Sequence, residues 1–138
     1  MTTDYKAILA DADIAGVFET PPGAADDIVN AAKSNEQALY RIDLRGARNR
    51  EEMLQLIGTA LEFPEWYGNN FDGLMDCLCD MGWQPAPGYV VVLENSHNIY
   101  NIAYNDFNLL IDVFAEAAVK WREQDKPFWC FVDQAANI

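Results

Sequence analysis

The chain has 138 residues, 51% of them apolar or aromatic, and a formal charge of −13 from nine Lys+Arg and 22 Asp+Glu. That size and apolar content suit one domain, residues 1–138, with a single filled core. The negative charge argues against nucleic acid or anionic membranes as partners, because both select cationic surface. Three cysteines and one histidine, His97, argue against a disulfide framework and a zinc site. There is no basic start followed by a long apolar run, and no stretch long enough to span a bilayer. The expectation is a soluble, cytoplasmic protein, monomeric when free and without a cofactor.

In chain order, residues 16–20 read as a short strand closed by Pro21-Pro22-Gly23. A modest helix over 24–35 follows, with Ile28, Val29 and Ala32 on its inner stripe. Residues 39–44 alternate apolar and polar, the period-two pattern of a strand. Asn49 is placed to cap a helix whose Met53, Leu54, Ile57 and Leu61 face a core, and Pro64 is expected to stop it. A second helix runs from Phe71 to about Met81 after the segment 66–70. Residues 89–93 and 128–132 are near-continuous apolar runs, as in parallel strands covered on both faces. Between them lie a short helix near 97–103 and a longer one from Asp106 to about Gln124. Alternating strands and helices predict an α/β layer with right-handed crossovers.

From Glu51 to Val119 the chain carries eleven carboxylates and no lysine or arginine. On the helix 71–81, Asn70 is a good N-cap, and Asp72 falls in the first turn where the helix dipole favours negative charge. Leu74, Cys77, Leu78 and Met81 define an inner stripe; Asp72, Asp76 and Asp80 recur at i, i+4, i+8 on the outer face. Such stacking of like charges costs roughly 0.2–0.5 kcal/mol per pair. A row of this kind is usually only a solvated face. Here Trp66, Tyr67 and Trp83 flank it, a composition closer to a binding hot spot, with one of Trp66 and Tyr67 expected in the core. Gly68 and Gly73 are small where a partner backbone would need room, although a turn would explain Gly68 equally well. Cys77 is expected to pack as an apolar residue, and His97 reads as a loop or helix-start residue.

The run Leu61-Glu-Phe-Pro-Glu-Trp-Tyr-Gly-Asn-Asn-Phe-Asp-Gly-Leu-Met-Asp-Cys-Leu78 resembles the signature of the barstar family, intracellular inhibitors of barnase-type ribonucleases. The resemblance extends to an apolar strand ending in Leu93-Glu94 and to Val113-Phe-Ala-Glu116, covering roughly residues 39 to 133. It implies a barstar-like small parallel sheet of three core strands packed by helices. Residues 1–38 have no counterpart in it and are expected to add one strand and one helix at the sheet's edge. It also implies inhibition by insertion of the acidic helix into an enzyme's cleft. Trp66 then matches a partner-contacting aromatic, and Asp72 and Asp76 match the two interface aspartates, Asp76 standing where a substrate phosphate would lie. Glu116 matches a peripheral acidic contact, and Gly82-Trp83 matches a Gly-Trp pair displaced by two residues. Met75 stands where the family's namesake has tryptophan, and Asp80-Met81 lengthen the helix or its exit.

The candidate partner-binding set is therefore Trp66, Tyr67, Gly68, Asn70, Asp72, Met75, Asp76, Asp80, Trp83 and Glu116. The expected activity is inhibition, not catalysis, against a basic protein such as a ribonuclease or another nuclease toxin. The alternatives are an immunity protein or regulatory module for a different basic partner. An enzyme using these carboxylates for acid–base work or Mg²⁺ is a weaker reading, because no phosphate-binding glycine loop or nucleophile signature accompanies them.

Overall fold

In the computed structural model, which describes residues 3–133, a parallel sheet has the strand order β1-β4-β3-β2. The strands are β1 (Val17–Glu19), β2 (Ala38–Asp43), β3 (Tyr89–Glu94) and β4 (Phe128–Val132). The helices are α1 (Tyr5–Leu9), α2 (Ala25–Ser34), α3 (Arg50–Ala60), α4 (Phe71–Asp80), α5 (His97–Ile102) and α6 (Tyr104–Glu123). The mixed α/β class and the added N-terminal edge strand are as expected. No helix among the described residues is long and apolar enough to cross a membrane.

The two central strands are buried along nearly their whole length, which is why they read as unbroken apolar runs. Successive side chains go to opposite faces, so the sheet divides the interior into two cores. On one face Tyr40, Ile42, Val91, Leu93, Phe128 and Cys130 pack with α3, α4 and α6 residues such as Ile57, Leu78 and Phe114. On the other, Val90, Val92, Trp129 and Phe131 pack against Leu9 of α1 and Ile28 and Ala32 of α2. Each large apolar side chain so buried contributes about 1.5–3 kcal/mol.

Three local differences from the sequence reading have physical causes. Helix α1 was not expected; five residues form it because Asp4 caps Ala7 N–H and because the Leu9 carbonyl accepts from Trp129 Nε1 at 2.9 Å and Gln37 Nε2 at 2.7 Å. Helix α3 begins under the Asn49 cap as expected, but ends at Ala60, ahead of Pro64. Glu62 turns into the left-handed region (φ 55°), and the Glu62 and Phe63 N–H groups bond back to the Thr59 and Gly58 carbonyls. Helix α6 starts at Tyr104 rather than Asp106.

A candidate partner-binding face built on an acidic helix

Helix α4 starts under a strong cap: the Asn70 side chain accepts from Gly73 N–H at 2.6 Å, and Asp72 occupies the first turn. It closes at Met81, which adopts a left-handed conformation (φ 49°) while its N–H bonds to the Cys77 carbonyl. Gly73, Leu74, Cys77 and Leu78 are buried, whereas Asp72, Asp76 and Asp80 are exposed. At 1.5 Å rise per residue the three aspartates span roughly 12 Å along one side of the helix. Asp80 also accepts from Gly82 N–H at 3.2 Å, so its carboxylate shapes the exit turn that sequence reading had left between helix and loop.

The turn before α4 divides the aromatic pair. Residues Glu65–Tyr67 form a single 3-10 turn that ends at Gly68, where φ is 72° and a side chain would be strained. Tyr67 enters the core, its hydroxyl donating to the Leu54 carbonyl at 2.8 Å, and burial holds its phenol well above the usual range. Tyr67 thus stands behind the surface and supports it. Trp66 points outward and is 55% exposed. Its ring is fixed by a ladder of edge-to-face contacts: Trp66 to Trp83 at 6.3 Å, Trp83 to Phe63 at 5.8 Å, and Phe63 to Tyr67 at 4.8 Å. Trp83 is half-buried, with Nε1 aimed at the Leu61 carbonyl 3.4 Å away. An exposed tryptophan held in this way loses little side-chain entropy on binding.

Gly73 corrects the sequence reading. The space beside it is not open to a partner, because a Cβ there would lie 1.9 Å from the Tyr67 carbonyl oxygen. Gly58 has the matching role on α3, where a Cβ would meet the Tyr67 ring at 2.5 Å. These two glycines let the turn bearing Trp66 dock between α3 and α4. Met75 is half-buried on α4, its sulfur 3.7 Å from Cys79 Sγ.

Electrostatically, the long acidic segment resolves into two parts. Arg41, Arg48 and Arg50 come within ion-pair distance of Glu94, Glu52, Glu51 and Asp106, so four of the eleven carboxylates are partnered by arginines from outside the segment. Among the described residues no ion pair includes Asp72, Asp76, Asp80 or Glu116. Helix α6 packs on α4 and brings Glu116 to the same locality. Burial first, then the charges of Asp76 and Asp80, pushes the Cys77 thiol up to about 11. At Cys79 burial is again the main cause of an upward shift, with Glu116 and Asp76 adding to it and Lys120 opposing it. Lys120, which the sequence places outside the acidic stretch, therefore lies near its C-terminal flank. Neither Phe63, the rung joining the tryptophans to the core, nor Lys120 carries a signal in sequence that marks it for this site.

Residues 37–133 match the family described as Barstar (barnase inhibitor). The chain belongs to the barstar family. It is also 33% identical over 87 residues to a Bacillus subtilis (strain 168) protein named "Putative ribonuclease inhibitor YrdF", an alignment covering 62% of this chain and 90% of that one. The barstar match begins at Gln37, just ahead of β2, and takes in the acidic helix, its tryptophans and Glu116. Residues 3–36, with α1, β1 and α2, lie outside it.

Proposed function

We propose that this barstar-family protein binds a basic nuclease, in the first instance a ribonuclease acting as a toxin, and blocks its active site with α4. One observation carries the reading. Asp72 and Asp76 project from a capped helix, with no cation of the described chain within ion-pair distance, beside a tryptophan that is 55% exposed yet held by other rings. An enzyme that cleaves a phosphodiester gathers lysine, arginine and protonated histidine around the phosphate site. A carboxylate with two acceptor oxygens satisfies the same donors, and a guanidinium can take it bidentately. Asp76 is the residue that enters that site. Asp72 contacts its rim, and Asp80 and Glu116 add to the field that draws a cationic partner in. Trp66 and Trp83 cover the contact and exclude water, while Asn70, Gly68 and Tyr67 keep the turn and helix in register. Met75 supplies a deformable apolar contact between the aspartates.

The test is capture from the host's own lysate on immobilised wild type and on Asp72→Ala/Asp76→Ala, followed by an RNA-cleavage assay of what is retained. A basic protein held by the wild type and lost by the double variant, whose cleavage activity disappears when wild-type inhibitor is added back, is the expected result. A nuclease retained equally by both would remove α4 from the interface. A captured partner without nuclease activity would keep the face and replace the target.

A further inference from the structure

On the opposite face of the sheet from α4, residues of the N-terminal addition and of β4 form an open apolar groove of about 380 Å³. Tyr5, Ile8, Ile14, Phe18, Trp129 and Phe131 line it. Its floor is rigid, because the Trp129 and Phe131 rings stack with centroids 5.5 Å apart at 3° and Phe18 lies 5.6 Å from Trp129. Its lips are wet: Ile14 is 49% and Phe18 45% exposed. Beside it runs β1, the edge strand among the described residues. Cys130 N–H bonds to the Gly16 carbonyl and Thr20 N–H to the Val132 carbonyl. In this parallel register the backbone groups of Gly16, Phe18 and Thr20 turn toward β4, and those of Val17 and Glu19 face outward along the open edge. An open edge beside an apolar groove is the arrangement that accepts an added strand, with main-chain bonds giving affinity and the groove reading alternate side chains.

Charge selects the occupant. Glu19 borders the groove, and the exposed Asp4 and Asp13 are next in the chain to Tyr5 and Ile14, against one lysine, the exposed Lys6 on the other side of Tyr5, so acidic groups outnumber basic ones there. None of the three takes part in an ion pair among the described residues. Arg122, the nearest arginine to this segment, is already engaged with the Ala12 and Ala15 carbonyls. A second copy of this chain, itself at −13, would bring like charge to like. The geometry points to a second docking surface, distinct from the acidic helix, that takes an extended segment of a partner polypeptide in which apolar residues alternate with lysine or arginine.

The probe is a short peptide alternating valine and lysine, titrated into the isotopically labelled full chain and followed by amide chemical shifts. The expected result is saturable shifts at Val17, Phe18, Glu19 and the Trp129 indole, with the Ile14→Lys/Phe18→Lys variant binding at least about tenfold more weakly. Glu19→Lys, at an exposed site, should weaken binding in the same direction without touching the groove floor. A matched peptide with aspartate for lysine should leave these signals unmoved. Shifts confined to α4, equal binding of the two peptides, or equal binding by the variants would each overturn the proposal.

Discussion

Tyr67 holds the candidate face from behind, because its ring and hydroxyl touch α3 while its carbonyl lies against α4. The ring lies on Gly58, the hydroxyl on Leu54, and the carbonyl against Gly73. Gly73→Ala drives a methyl group into that carbonyl and is expected to destabilise the fold by ~1–3 kcal/mol, seen as a lower urea midpoint. Tyr67→Phe keeps the ring contacts and removes one buried donor, so a smaller loss of about 1 kcal/mol is expected by the same measurement. The thiols give a second check. Burial raises the pKa of all three cysteines, so each holds less thiolate at mildly alkaline pH than a free cysteine. The folded protein should react with a thiol-selective disulfide reagent only slowly, and at Cys79 first because Cys77 and Cys130 are buried. In denaturant all three should react at once. A raised folded-state pKa also means that this contribution to stability is complete below the unfolded thiol's value and falls as pH rises. For Cys77 the loss lies between the ordinary thiol range and about 11.

At the scale of elements, the spacing of α4 already separated the buried Leu74, Cys77 and Leu78 from the exposed aspartates, and the structure keeps that division. Strands β3 and β4 were equally legible, since strands covered on both faces carry no polar alternation. What could not be read depends on partners far away in sequence. The room at Gly73 looks empty until the preceding turn places a carbonyl in it. Arg41 pairs with Glu94 only because parallel register sets β2 beside β3. Proline appears as the obvious stop for α3, yet the helix ends earlier, through a left-handed Glu62 that no sequence rule favours. The short helix α1 depends on Trp129 and Gln37, residues of β4 and of the approach to β2. Arg122, reaching from α6 to the Ala12 and Ala15 carbonyls at 3.4 and 2.7 Å, ties the same segment down. Arg122→Ala is therefore expected to destabilise the N-terminal addition, lowering amide protection in residues 5–20 well before that of β3.

For the molecule as a whole, arginines pair four of the carboxylates between Glu51 and Val119 and leave Asp72, Asp76, Asp80 and Glu116 outside every ion pair of the described residues, so the −13 chain carries an unpaired acidic cluster at α4. Such a field accelerates encounter with a cationic partner. Because the Debye length is about 10 Å at 0.1 M salt, the association rate should fall steeply as salt is added, while the dissociation rate changes much less. The N-terminal addition belongs to the same structure in a stricter sense. Removing residues before Gln37 strips Leu9, Ile28 and Ala32 from Val90, Val92, Trp129 and Phe131. The shortened chain should bind hydrophobic dye and aggregate, although the matched family region is intact.

The most direct measurement is titration calorimetry of the captured nuclease with wild type and Asp76→Ala, both first shown to unfold at the same temperature. A loss of at least ~2 kcal/mol of binding free energy, the size of an interfacial hot spot, is expected for the variant. Equal affinity would mean that the aspartate ladder on α4 does not fill the enzyme's phosphate site.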